Sequence, residues 1–181
     1  MRIGTHRENN FQSRISEHFI LNESKMNFNN ESPKPSDRSI FRKNIGRALL
    51  NKQKDDYLTM WNIDYTTSDN KKRFSHLRNI SREKEIEIQI TDIIRNNFWF
   101  RSVPLEGQEQ RMGKLGIESR LIGTVTRCEI CKPSQKWLGA FSPVSKINSG
   151  KLWLYQHLDS PGLTDTDKIA LTNSINVTNK L

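Results

Sequence analysis

Glu118 has Leu115 three residues before it and Leu121 and Ile122 three and four after it. On a helix, that spacing puts all four on one face. A carboxylate set into an apolar stripe loses hydration and needs a cation or hydrogen-bond donors to meet it. A divalent metal is one such cation, held through one carboxylate and the phosphate oxygens of a substrate. An interior arginine, or water at the edge of the stripe, is the alternative. Arg14 and His18 stand at i and i+4 and share a face of a second, short helix. An Arg guanidinium offers a fixed fork of donors that matches two phosphate oxygens. A His titrates near neutrality and can orient or deprotonate a water. An exposed face with Arg14 paired to Glu17 is the competing reading. Cys128 and Cys131 have half the ligands of a closed zinc site, with no second Cys pair and His157 far downstream. They read as two ordinary thiols.

These residues need elements to carry them. Phe11, Ile15 and Phe19 recur every four residues and predict a compact amphipathic helix. Arg2 to Thr5, ahead of it, is long enough only for a strand fragment. Residues 27–37, rich in Asn, Ser and Pro, predict a mobile loop. Asp37 or Ser39 can cap a helix running to about Leu50, with Ile40, Phe41, Ile45, Ala48 and Leu49 on its inner stripe. Arg38, Arg42, Lys43 and Arg47 occupy its flanks, and from Arg38 to Lys54 there are six basic residues and no acidic one. Both those flanks and the run Lys71-Lys72-Arg73 could track a phosphate backbone or simply be solvated.

Ile86, Ile90, Ile93 and Ile94 predict a helix from about Arg82 to Asn96, although Glu85 to Ile90 also alternates as a strand would. Phe98 to Val103 reads as a strand. A second long helix is expected over Glu109 to Thr126, a short strand or buried segment at Leu152 to Tyr155, and a weak helix from Asp165 to Ser174. The four Trp residues (61, 99, 137 and 153) sit among apolar neighbours and read as core.

The chain has 181 residues, enough for one ordinary domain. With 34% hydrophobic residues, its core is real but lean. The 29 Lys and Arg against 20 Asp and Glu give +9, a balance that favours a polyanionic partner, nucleic acid first. No run is apolar enough to span a membrane, no apolar signal core follows Met1 to His6, and two cysteines exclude a disulfide scaffold. A cytoplasmic protein is expected.

At the N-terminus the order of residue types becomes specific. Arg2-Ile3-Gly4, then Phe11 to Phe19 with Arg14 and His18, resembles the second half of a GIY-YIG nuclease motif. Gly116-Ile117-Glu118-Ser119-Arg120-Leu121-Ile122 is similar to the helix that supplies that family's metal-binding Glu. Lys132-Pro133 with Trp137-Leu138-Gly139 resembles the segment that closes the domain. Ile40 to Gly46, Ser142-Pro143 and Leu152-Trp153 are similar to a bacterial subgroup.

The resemblance implies an α/β (α+β) fold, with a small central antiparallel sheet flanked by helices and a helical C-terminal extension. It implies a domain over 1–158 and a tail over 159–181. It also implies a DNA endonuclease cleaving phosphodiesters with Mg2+ or another divalent metal. Arg14 would hold the scissile phosphate, Glu118 the metal, and His18 the water. Cation, metal and positioned nucleophile are what that chemistry requires. Arg38, Arg42, Lys43 and Arg47 would bind DNA. No counterpart of the Gly-Ile-Tyr strand precedes Arg2, Arg2 stands at the second motif's Tyr, and Leu138 stands where the family has Asn. An N-terminally truncated domain with impaired catalysis is therefore expected. A catalytically inactive nucleic-acid-binding module is the alternative, and an interaction protein that does not bind nucleic acid comes third.

Overall fold

The computed structural model describes residues 1–5, 10–19, 23–105 and 113–178. Its α-helices are α1 (Phe11–Phe19), α2 (Glu23–Met26), α3 (Ile40–Gln53), α4 (Leu58–Asn62), α5 (Ser68–Phe74), α6 (Ile80–Asn97), α7 (Ile117–Arg127), α8 (Ser145–Gly150) and α9 (Asp165–Thr178). The chain forms two compact bodies. One comprises Met1–Thr5, Phe100–Gln135 and Ser149–Leu181; the other comprises His6–Trp99 and Lys136–Asn148. Among the described residues no helix is long and apolar enough to cross a membrane.

The second body is built on α3. Ser39 caps it by accepting a hydrogen bond from the Arg42 amide, and Lys54 closes it in a left-handed conformation. Phe41, Ile45, Ala48, Leu49 and Leu50 are buried along it. Gly46 lets α4 approach: a Cβ at that position would lie 2.6 Å from the Trp61 ring. The Trp61 indole donates to the Lys43 carbonyl at 3.2 Å.

Helix α6 is capped by the Asn79 side chain. It buries Ile86, Ile90 and Ile94 and leaves Ile88 51% exposed, so the period is four and the alternating reading of this stretch fails. Between α3 and α6 the Arg42 guanidinium donates twice to Glu87 Oε2, at 2.8 and 3.2 Å, and once to Thr91 Oγ1 at 2.8 Å. Glu87 Oε1 accepts from the Ser36 amide at 2.7 Å. Each partner of this buried pair is thus satisfied, as burial of charge demands.

The loop before α3 is fixed from a distance. Arg78 Nη1 donates to the carbonyls of Asn29, Asn30 and Ser32 at 2.8 to 2.9 Å. Its guanidinium also pairs with Glu83 and stacks 4.1 Å from the Tyr65 ring.

In the first body, α7 buries Ile117 and Ile122. Gly123 admits the returning chain, because a Cβ there would stand 2.1 Å from the Ser160 carbonyl oxygen. Helix α9 is opened by a reciprocal box: the Thr164 hydroxyl accepts from the Asp167 amide and the Asp167 carboxylate from the Thr164 amide. Arg120 of α7 pairs with Asp167 at 2.9 Å.

The expected α/β fold with a central antiparallel sheet is not found; among the described residues there is no strand. Strands need a ladder of hydrogen bonds to a neighbouring backbone, and among the described residues no candidate segment forms one. Phe98 donates its amide to Ile94 as the cap of α6, while Trp99 is 76% exposed. Leu152 and Trp153 are buried, and the Trp153 amide donates to the Met1 carbonyl at 2.8 Å, but the segment takes no strand conformation.

The long helix expected over Glu109 to Thr126 is α7, which starts at Ile117. Residues 109–112 lie outside the described residues, and Leu115, expected on the buried stripe, precedes the helix and is 66% exposed. Of the tryptophans expected in the core, only Trp61 and Trp153 are buried.

Candidate functional site

Glu118 lies in the first turn of α7, half-buried. A carboxylate there faces the positive end of the helix dipole. Its Oε2 accepts a 2.6 Å hydrogen bond from the Thr5 hydroxyl. Gly4 lies alongside, so that a Cβ on it would be 3.9 Å from Oε1, in ordinary contact. The segment Arg2 to Thr5 and the helix carrying Glu118 are therefore brought together across 113 residues of sequence. Among the described residues, what meets the carboxylate is a hydroxyl and a helix start. Thr5 was missed by the sequence reading, although it directly follows the quoted Arg2-Ile3-Gly4.

Arg14 and His18 both lie on α1, in the other body. Arg14 forms an ion pair with Glu17, with its side chain 36% exposed. His18 is 3% exposed, its Nδ1 lying 2.7 Å from Ser39 Oγ and its ring packing edge-on against Phe41. Its carbonyl accepts from Arg42 Nη1 at 3.3 Å. His18 thereby ties α1 to the capping residue of α3. The sequence offered no signal for this, because Ser39 shows only as a cap.

Of the cations expected to face DNA, Arg38 is exposed and Arg47 half-buried, donating to Asn62 and Asn44. Arg42 and Lys43 are not on an open flank. Arg42 is fully buried against Glu87. Lys43 is buried with Lys34 around Asp37, at 2.8 and 3.1 Å. Burial pushes the Lys43 ammonium below the usual lysine range, with Asp37 opposing the shift and Lys34 adding to it. In α5, Lys72 and Arg73 are exposed.

Among the described residues no three His, Cys, Asp or Glu side chains cluster as a metal cage. Magnesium does not require one. It keeps several waters and takes one or two carboxylates plus substrate phosphates. A single carboxylate with Oε2 engaged by Thr5, and with no hydrogen-bond partner for Oε1 among the described residues, fits that mode.

No curated protein and no solved structure is significantly similar to the chain. The sequence profile of the GIY-YIG domain matches residues 1–176, a family of nucleases that act on DNA and generally use divalent metals. The quoted segments around Gly4, Arg14 and Glu118 all fall within the match, and the chain belongs to the GIY-YIG domain family.

Proposed function

We propose that the chain is a metal-dependent DNA endonuclease. The observation that carries this reading is the Glu118 carboxylate held by the Thr5 hydroxyl beside Gly4, in a chain of the GIY-YIG family. Glu118 would hold the metal through Oε1 while Thr5 fixes the rotamer through Oε2. The metal, when bound, would supply positive charge to the oxygens of the phosphodiester. Arg14 would exchange Glu17 for a non-bridging phosphate oxygen and stabilise the charge that builds there. His18, anchored between Ser39 and Phe41, would fix the helix that bears Arg14 and so hold that guanidinium in place. Arg38 and Arg47, with the cations of α5, would hold the duplex by its backbone.

The test is nicking of supercoiled plasmid with Mg2+, for the wild type, Glu118→Ala and Arg14→Ala. Each variant is expected to lose about 100-fold or more in rate, the usual cost of removing a group that acts on the transition state. Wild-type nicking no faster than that of Glu118→Ala would end the endonuclease reading.

A second reading, a nucleic-acid-binding module without catalysis, is favoured by the pairing of Arg14 with Glu17 and the burial of His18. DNA affinity without nicking, unchanged in Glu118→Ala, would select it.

A further inference from the structure

The loop directly after α7 carries the only two cysteines of the chain, Cys128 and Cys131. Both are free thiols, Cys131 exposed and Cys128 partly so. The Cys131 amide donates to Cys128 Sγ at 3.3 Å, which bends the loop back onto that sulfur. The Lys132 amide closes it by donating to the Ile130 carbonyl at 2.8 Å. The two sulfurs are not equivalent. The amide of Cys131, donating to Cys128 Sγ, holds that thiol below the usual range. Cys131, as the donor to that sulfur, is raised. The sulfur that accepts the amide bond is the one whose thiolate is stabilised for attack, and the thiol three residues on is placed to resolve.

We infer that Cys128 and Cys131 form a reversible dithiol–disulfide couple, oxidised by a small-molecule disulfide of the glutathione class, with Cys128 as the attacking sulfur. The Cys128 thiolate attacks one sulfur of oxidised glutathione, forming a mixed disulfide and expelling one glutathione thiolate, which takes up the proton Cys128 gave to solvent. The Cys131 sulfur, losing its proton, then attacks Cys128 Sγ. The Cys128–Cys131 bond forms and the second glutathione leaves as a thiol. Two protein thiols lose two electrons in all, and one disulfide gains them. The couple does not depend on nuclease activity, and its readout is chemical.

The experiment equilibrates the reduced full chain with mixtures of reduced and oxidised glutathione at neutral pH. Acid quenching, alkylation, intact mass and a non-reducing gel follow. Both alkylation sites should disappear together as the mixture becomes oxidising, with the mass lower by two hydrogens and the chain remaining monomeric on the gel. Reduced glutathione should restore both. Cys131→Ser should retain one bound glutathione, because nothing resolves it, and Cys128→Ser should acquire its adduct several-fold more slowly. Persistent thiols in fully oxidised glutathione, a glutathione adduct that stays on the wild type, or a disulfide between two chains would each overturn the inference. So would equal rates for the two single variants.

Discussion

Arg42 and Lys43 are adjacent in sequence and carry the same charge, yet each is buried against a different carboxylate. Arg42 meets Glu87, 45 residues away, and a helical wheel of α3 cannot show that partner. This is why these two cations read as an open basic flank, whereas Arg38, on the same flank, is exposed. Glu87→Ala would leave the Arg42 guanidinium buried with its main counter-charge gone. It should cost about 3–5 kcal/mol, read as a shifted urea midpoint. Arg42→Met with Glu87→Leu should recover much of that loss, since a well-packed apolar pair often equals a buried ionic one.

Lys43 makes a pH prediction. In the unfolded chain it keeps its proton up to about 10.5, but in the folded chain it releases it at lower pH, chiefly because of burial. Between those values the unfolded state binds more protons, so this residue's contribution to stability rises with pH. Below the folded value its penalty is present in full. Lys43→Met leaves Lys34 on Asp37. It should stabilise the protein while Lys43 is charged, and its advantage over the wild type should shrink as pH rises toward about 10.5 in urea titrations.

At the scale of elements, helices were legible wherever a period near four coincided with a capping side chain. Ser39 before α3 and Asn79 before α6 are such places. The expected strands are absent among the described residues because residue types alone do not make one: a strand is defined by its neighbour. Phe98 to Val103 has the residue types of one, but Phe98 instead closes α6 and packs edge-on against Phe41 at 5.2 Å. Arg2 to Thr5 was legible as a segment of consequence but not as a companion of Glu118, because only the fold brings Thr5 to the carboxylate. Packing between α3 and α4 turns on Gly46. Gly46→Ala would drive a methyl group to 2.6 Å from a fully buried Trp61 ring. The expected cost is about 1–3 kcal/mol, with a shift in Trp emission as the indole is displaced.

At the scale of the whole molecule, the excess of nine positive charges is the property that bears on partners. Charge confined in buried pairs does not contribute to phosphate contact, so Arg42 and Lys43 should be silent in DNA binding. The exposed cations of α5 should not be. Binding measured from low to high salt is expected to weaken with a slope of about 0.9 per phosphate contacted. Lys72→Ala with Arg73→Ala should flatten that slope, and Lys43→Met should leave it unchanged. Equal slopes for all three proteins would remove α5 from the interface.

Three carbonyl oxygens of the Asn29 to Ser32 turn converge on one nitrogen of Arg78, and that guanidinium is itself anchored on Glu83. A stretch whose composition promises freedom is instead moulded like a knot around a peg that stands 46 positions further along the chain. The path leading into the central helix is thereby inherited from a remote side chain. Exchanging the Asn and Ser residues of that turn alters only its decoration; losing the peg unties it.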